Sequence, residues 1–122
     1  MKILIVDDEP LVRKSLARAC QARGHQVAEA PDGRLGLDLW RQFDPDLAFV
    51  DVLMPGLSGP DLIRELGQPR RARVILMSAY SGEHNIETAQ QVGADLFISK
   101  PFENIFLVVE TAEELLGEKR PG

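Results

Sequence analysis

At 122 residues the chain is one ordinary domain, long enough to bury roughly two-thirds of its unfolded surface without disulfides or a structural metal. Nineteen acidic against fourteen basic residues leave a net charge of -5, which repels nucleic acid and anionic lipid, so direct nucleic-acid binding is not expected. A single cysteine, a four-residue apolar run near the N-terminus that stops at Asp7, and no run of transmembrane length point to a reducing, cytoplasmic setting without membrane contact.

Short β-rich runs alternate with longer helical stretches, with no internal repeat or low-complexity segment, which predicts five strand-then-helix units. Lys2 to Val6 reads as a central parallel strand, nearly all apolar. Asp8-Glu9-Pro10 starts a helix whose inward stripe is Val12, Leu16, Ala19 and Cys20, and Gly24 ends it. On that stripe Cys20 reads as a small buried hydrophobe rather than a redox or catalytic thiol. Gln26 to Ala30 is a weaker second strand. The helix after it is expected to bury Gly36, Leu39, Trp40 and Phe43 and to stop at Asp44-Pro45-Asp46. Leu47 to Val50 forms the third strand, followed by a Met54-Pro55-Gly56 turn and a helix entered through Ser58-Gly59-Pro60, with Leu62, Ile63 and Leu66 inward. Arg73 to Met77 is the fourth strand. The next helix, Glu83 to Val92, carries a thin stripe of Ile86, Ala89 and Val92, and thin packing predicts mobility. Asp95 to Ile98 is the fifth strand. Ile105, Val108, Val109, Ala112, Leu115 and Leu116 then give the last helix a strong stripe, from which Phe106 falls away.

Five such units make an open parallel sheet with helices on both faces, and in such folds ligands bind beyond the carboxyl ends of the strands. Asp7, Asp8, Asp51, Ser78 and Lys100 all lie at those ends. Like charges brought to about 5 Å repel by roughly 3 kcal/mol per pair at an effective dielectric near 20, so carboxylates gathered there need a counter-ion. A divalent cation is the expected answer, and zinc is disfavoured because the chain has no Cys/His cluster. Each residue also has a plain structural reading: Asp8 as a helix N-cap, Asp51 as a turn residue, Lys100 as a solvated charge, Ser78 bonded to nearby backbone. Their alignment at one sheet edge, rather than their identity, favours a site. From the charge cluster alone, Asn in place of Asp7 or Asp8 is expected to raise metal-free stability by relieving repulsion.

In chain order stand Val6-Asp7-Asp8-Glu9 after the first strand, Asp51 then Met54-Pro55-Gly56 after the third, Ser78-Ala79 after the fourth, and Lys100-Pro101-Phe102 after the fifth. In these motifs the chain resembles, over essentially its whole length, the receiver domains of bacterial two-component response regulators, which include the single-domain chemotaxis regulator. The resemblance implies an α/β, doubly wound, flavodoxin-like fold: a five-stranded parallel sheet of order 2-1-3-4-5 with five helices. Residues 1–117 would be the receiver domain and 118–122 a polar tail or the start of a linker.

The resemblance further implies that Asp51 is the phosphoacceptor, attacking the phosphorus of a phosphohistidine on a sensor histidine kinase or phosphotransfer protein. It implies a Mg²⁺ ion bound by Asp8 and Asp51, by Asp7 through water and by the backbone carbonyl of Leu53. Ser78 would be the switch hydroxyl, Phe97 the aromatic that changes rotamer with it, and Lys100 the partner of the phosphoryl group, with Lys100-Pro101 cis. Leu53 and Tyr80 would flank the phosphoryl group. The Phe97 ring has no hydroxyl to offer a switching hydrogen bond. Apolar Leu53 offers no group to activate water, which predicts slow dephosphorylation.

Output would leave through the fourth helix, fifth strand and fifth helix toward an effector domain or protein, and whether modification drives homodimerisation stays open. Such a domain catalyses only its own phosphorylation and dephosphorylation and is not otherwise an enzyme. Among rivals, a haloacid-dehalogenase-like phosphatase needs a second carboxylate two residues after its nucleophile, and Asp51-Val52-Leu53 lacks it. A flavodoxin-like cofactor binder would meet repulsion from Asp7-Asp8-Glu9. The alternative kept is an interaction module with the receiver fold that works without phosphorylation.

Overall fold

Alternation within the strands decides the layering. Successive side chains of a strand point to opposite faces, so β1 (Lys2–Val6) sends Ile3 and Ile5 to one side and Leu4 and Val6 to the other. All four are fully buried, which requires a cover on each face. The computed structural model describes residues 1–67, 71–79 and 83–117. Among them run α1 (Pro10–Ala22), β2 (Gln26–Ala30), α2 (Gly33–Phe43), β3 (Leu47–Asp51), α3 (Gly59–Leu66), β4 (Arg73–Ser78), α4 (Glu83–Gln91), β5 (Leu96–Ser99) and α5 (Ile105–Gly117). The five strands form one sheet of order β2-β1-β3-β4-β5, parallel at every pairing.

Two cores follow, one per face. Ile3, Ile5, Phe49, Ile75 and Met77 meet Leu16 and Cys20 of α1 and Val109 and Ala112 of α5. On the other face Leu4, Val6, Val50 and Leu76 meet Leu37 and Trp40 of α2, Leu62 and Ile63 of α3, and Ala89 of α4. Each large side chain buried this way contributes about 1.5–3 kcal/mol, so the sheet is a rigid base for whatever its loops carry.

The expected elements are present with small shifts. On α1 Ala17 is buried and Val12 is only half-buried. On α2 Leu37 and Gly33 join the buried face, while Leu39 and Phe43 stay half-buried. The stripe turns because α2 packs on both β1 and α3, and Leu37 lies one turn from Trp40 on that side. β3 and β4 each run one residue further than expected, to Asp51 and Ser78. β5 starts one later than expected because Asp95 turns its carboxylate onto the Val74 N–H and Arg73. Leu66, Ile105 and Leu116 sit half-buried at helix ends. Ala89 and Val92 are buried as expected; the Ile86 side chain, Tyr80 and the 118–122 tail lie outside the described residues. Cys20 is fully buried and its thiol is pushed up to about 12, chiefly by burial and then by the Glu113 charge, which makes it an inert packing group. No helix of the described residues is long and apolar enough to cross a membrane.

Candidate functional site

Winding reverses between β1 and β3: the chain leaves β1 for its neighbour β2 and leaves β3 in the other direction, for β4. The loops beyond these adjacent strands part and leave a crevice at their carboxyl ends. Val6 pairs with Val50, which brings the residues that follow, Asp7 and Asp51, to the same level. Carboxylate oxygens of Asp7, Asp8 and Asp51 lie within 4.8 Å of one another. Asp7 is fully buried and Asp51 is 4% exposed, whereas Asp8 lies at the open side.

Among the described residues a single lysine answers them. Lys100 Nζ donates to Asp7 Oδ2 at 3.0 Å and to Glu9 Oε1 at 3.3 Å, and stands 3.5 Å from Asp51 Oδ2. Burial pulls the ammonium down, but the Asp7, Asp51 and Glu9 carboxylates outweigh it and hold Lys100 above its ordinary value. One cation does not balance the cluster. Burial, followed by the Asp7 charge and a hydrogen bond shared with Asp8, raises Asp51 to about 7 despite Lys100.

The backbone explains the convergence. Asp7 Oδ1 accepts from the Glu9 N–H at 2.9 Å, which turns the chain sharply after β1. Glu9 is the N-cap residue of α1, without a side-chain cap bond, and Pro10 is in the first turn, so Asp8 is not the N-cap and faces the crevice mouth instead. Beyond β3, Val52 N–H donates to Met77 O at 2.8 Å and Gly59 N–H to Val52 O at 3.0 Å. A Cβ on Gly59 would lie 2.4 Å from the Asp51 carbonyl oxygen, so only glycine lets α3 come this close to the acidic strand end. Gly56, at φ +79°, supplies the left-handed turn between.

Ser78 is buried at the end of β4, one residue beyond Met77, the partner of Asp51. Its carbonyl accepts the Lys100 N–H at 2.8 Å, tying the two strand ends together. The Lys100-Pro101 peptide is cis, as expected. Phe97 on β5 is half-buried against the core and borders a groove of about 290 Å³ with Ala89, Gln90 and Ala94. Leu53, two residues past Asp51, is 55% exposed. Asp7, Asp8, Asp51 and Lys100 therefore come together, Ser78 is on the adjoining strand, and Tyr80 lies outside the described residues. Sequence reasoning passed over Glu9 as a third acidic partner of Lys100, although its place after the Asp pair was a signal. The donor set suits magnesium: hard carboxylate oxygens, no sulfur or imidazole in the cluster, and a repulsion that Lys100 leaves uncompensated.

Comparison with known proteins agrees with this geometry. The family model described as "Response regulator receiver domain" matches residues 3–111. The transcriptional regulatory protein CseB of Streptomyces coelicolor is 34% identical over 87% of the chain and 45% of its own length. PdtaR of Mycobacterium tuberculosis, also a transcriptional regulatory protein, is 35% identical over 83% of the chain and 50% of its own length. The chain thus spans about half the length of these curated relatives. A CheY-like response regulator receiver domain protein from Methanospirillum hungatei superposes with a TM-score of 0.88 at 27% identity, covering 95% of the chain and 93% of its own. The receiver domain of a signal transduction histidine kinase from Syntrophus aciditrophicus does so at 0.85 and 34% identity, over 99% and 94%.

Proposed function

The chain belongs to the response regulator receiver domain family, and from that premise we propose that Asp51 accepts a phosphoryl group from a phosphohistidine in a Mg²⁺-dependent transfer. The observation that carries this reading is the position of Asp51 between the Asp7–Asp8 pair and Lys100 Nζ. The carboxylate oxygen of Asp51 attacks phosphorus, the P–N bond of the donor breaks with its electrons left on imidazole, and an acyl phosphate forms. One anion approaching another needs positive charge at the crevice. Asp8 and Asp51 directly, Asp7 through water and the Leu53 carbonyl would hold Mg²⁺, which supplies counter-charge to the phosphoryl oxygens.

The chain's own residues do the rest. Lys100, already charged and aimed at Asp51, moves to a phosphoryl oxygen once one is present. Ser78, buried one residue past the pairing partner of Asp51, supplies a hydroxyl to the same group, and Phe97 has the adjacent groove to turn into. Leu53, apolar and exposed, activates no water, so the phosphoryl group is long-lived; a half-life of seconds would contradict this.

A sensor histidine kinase or phosphotransfer protein is the proposed donor, in the cytoplasm. A groove of about 390 Å³ beside Lys100, lined by Leu11, Val12, Phe102 and Ile105, offers it an apolar seat. The face of α4, β5 and α5, with Phe106 63% exposed, is the proposed exit to an effector domain or protein. Relatives named transcriptional regulators and a neighbour from a histidine kinase indicate that receivers this similar serve different outputs. Incubation with Mg²⁺ and acetyl phosphate, read by intact mass, should add one phosphoryl group that Asp51→Asn abolishes. An unmodified wild-type mass would leave the phosphorylation-independent interaction module as the reading.

A further inference from the structure

One half-buried cation near the crevice has no part in the chemistry above. Arg13, on the first turns of α1, is only 11% exposed and directs its guanidinium at two partners. Nη1 donates to the backbone carbonyl of Asp7 at 2.8 Å, and Nε donates to Glu29 Oε1 of β2 at 3.2 Å. Glu29 also pairs with the exposed Lys14. The strand ladder closes beside this bond, with Asp7 N–H donating to Ala30 O at 3.1 Å.

The loop that carries Asp8 is therefore pinned on both flanks. On its far side Arg13 N–H donates to Glu9 O at 3.0 Å and Glu9 N–H to Asp7 Oδ1 at 2.9 Å. On its near side the Arg13 guanidinium fixes the Asp7 carbonyl, and with it the plane of the peptide from which Asp8 departs. A guanidinium is a rigid planar fork, so anchoring one arm on Glu29 fixes where the other points. We propose that Arg13, oriented by Glu29, is a positioning residue that aims the Asp8 carboxylate at the magnesium position; the inference rests on the metal-dependent reading above.

Charge and geometry predict opposite signs here, which makes the idea testable. Removing a positive charge beside an acidic cluster should tighten cation binding if Arg13 acts only through its field. Loss of positioning should weaken it, by about tenfold or more on the scale seen for outer-shell partners of metal ligands.

Isothermal calorimetry with MgCl₂ on the wild-type chain, Arg13→Met, Arg13→Lys and Lys14→Met provides the test, with thermal melting alongside. Arg13→Met should raise the Mg²⁺ dissociation constant about tenfold. Arg13→Lys keeps the charge but lacks the fork, so about a threefold rise is expected. Lys14→Met, which touches Glu29 but not Asp7, should leave the constant within twofold. The initial rate of acetyl phosphate labelling should regain the wild-type value at saturating Mg²⁺ in both Arg13 variants. Unchanged or tighter Mg²⁺ binding in the Arg13 variants overturns the proposal. If Arg13→Met does not fold, Arg13→Lys decides alone. Absence of Mg²⁺ binding by the wild-type chain would instead sink the reading on which this one rests.

Discussion

Asp46 and Asp51 flank the same strand, β3, and have opposite fates. At the amino end, Asp46 accepts the Lys2 N–H at 2.7 Å and a bond from Arg71. The Lys2 amide first, and Arg71 second, hold its carboxyl below the ordinary range. Close by, Arg73 meets Asp95 at 3.0 Å, so the charges at this end are paired. At the carboxyl end Asp51 shares one lysine with Asp7 and Glu9 and is raised to about 7. The difference shows where this domain keeps its charges paired and where it leaves charge unrelieved.

The largest effect is expected from removing the lysine. Lys100→Met leaves the fully buried Asp7 carboxylate without its cation, and breaking a buried pair from one side costs about 3 kcal/mol or more. Urea unfolding in EDTA at pH 7.5 measures it. A loss below about 1 kcal/mol would mean that Asp7 sheds its charge or finds another donor.

Next come the two ends of β3, which should respond with opposite signs. Moving Asp51 from 3.8 to about 7 corresponds to about 4 kcal/mol, of which Asn recovers about 2 kcal/mol because its amide is buried in the same place with fewer partners. Asp51→Asn should therefore stabilise the metal-free domain by about 2 kcal/mol, whereas Asp46→Asn should destabilise it by about 1 kcal/mol. Paired melting curves read both, and equal signs would erase the contrast.

Asp7 and Asp8 sharpen it further. The charge pattern of the sequence favours Asn at either position, but the geometry separates them. Asp8, at the mouth, chiefly adds repulsion, and Asp8→Asn should gain about 1 kcal/mol. Asp7 accepts from Lys100 and the Glu9 amide, so Asp7→Asn weakens a charge-assisted bond in a buried place and should show no gain. A gain at Asp7 equal to that at Asp8 would mean that repulsion outweighs the lysine.

Much of the fold and most of the crevice are legible in the amino-acid sequence. Continuous apolar runs such as Ile3-Leu4-Ile5-Val6 mark strands covered on both faces, and the acidic residues that end the first and third of them name the crevice. Hidden features depend on groups far apart in sequence. The burial of Leu37 in place of Leu39 is set by where α3 lies, which the periodicity of α2 does not contain. Lys100 chooses Glu9 across 91 residues. Arg13 belongs to none of the motifs, and only the fold brings it to Glu29 of β2.

The smallest effect is a pH dependence carried by Asp51. Its folded value, about 7, lies above the unfolded one of 3.8, so between these limits the folded state holds the extra proton. Stability from this group is full below pH about 4 and falls as pH rises through 7. Between pH 6.5 and 8 the metal-free domain should lose about 0.8 kcal/mol, because the slope is set by the proton released and not by a screened energy. Glu113 and Asp46 are shifted downward, so their contribution is lost only as pH falls through the acid range, outside this window. Subtracting the Asp51→Asn profile removes contributions that arise away from the crevice. A Mg²⁺ ion held as proposed would need the carboxylate deprotonated, so at subsaturating Mg²⁺ its binding would strengthen with pH and oppose the fall. A metal-free profile that stays flat from pH 6 to 8, or that persists in Asp51→Asn, would place the unrelieved charge somewhere other than the end of β3.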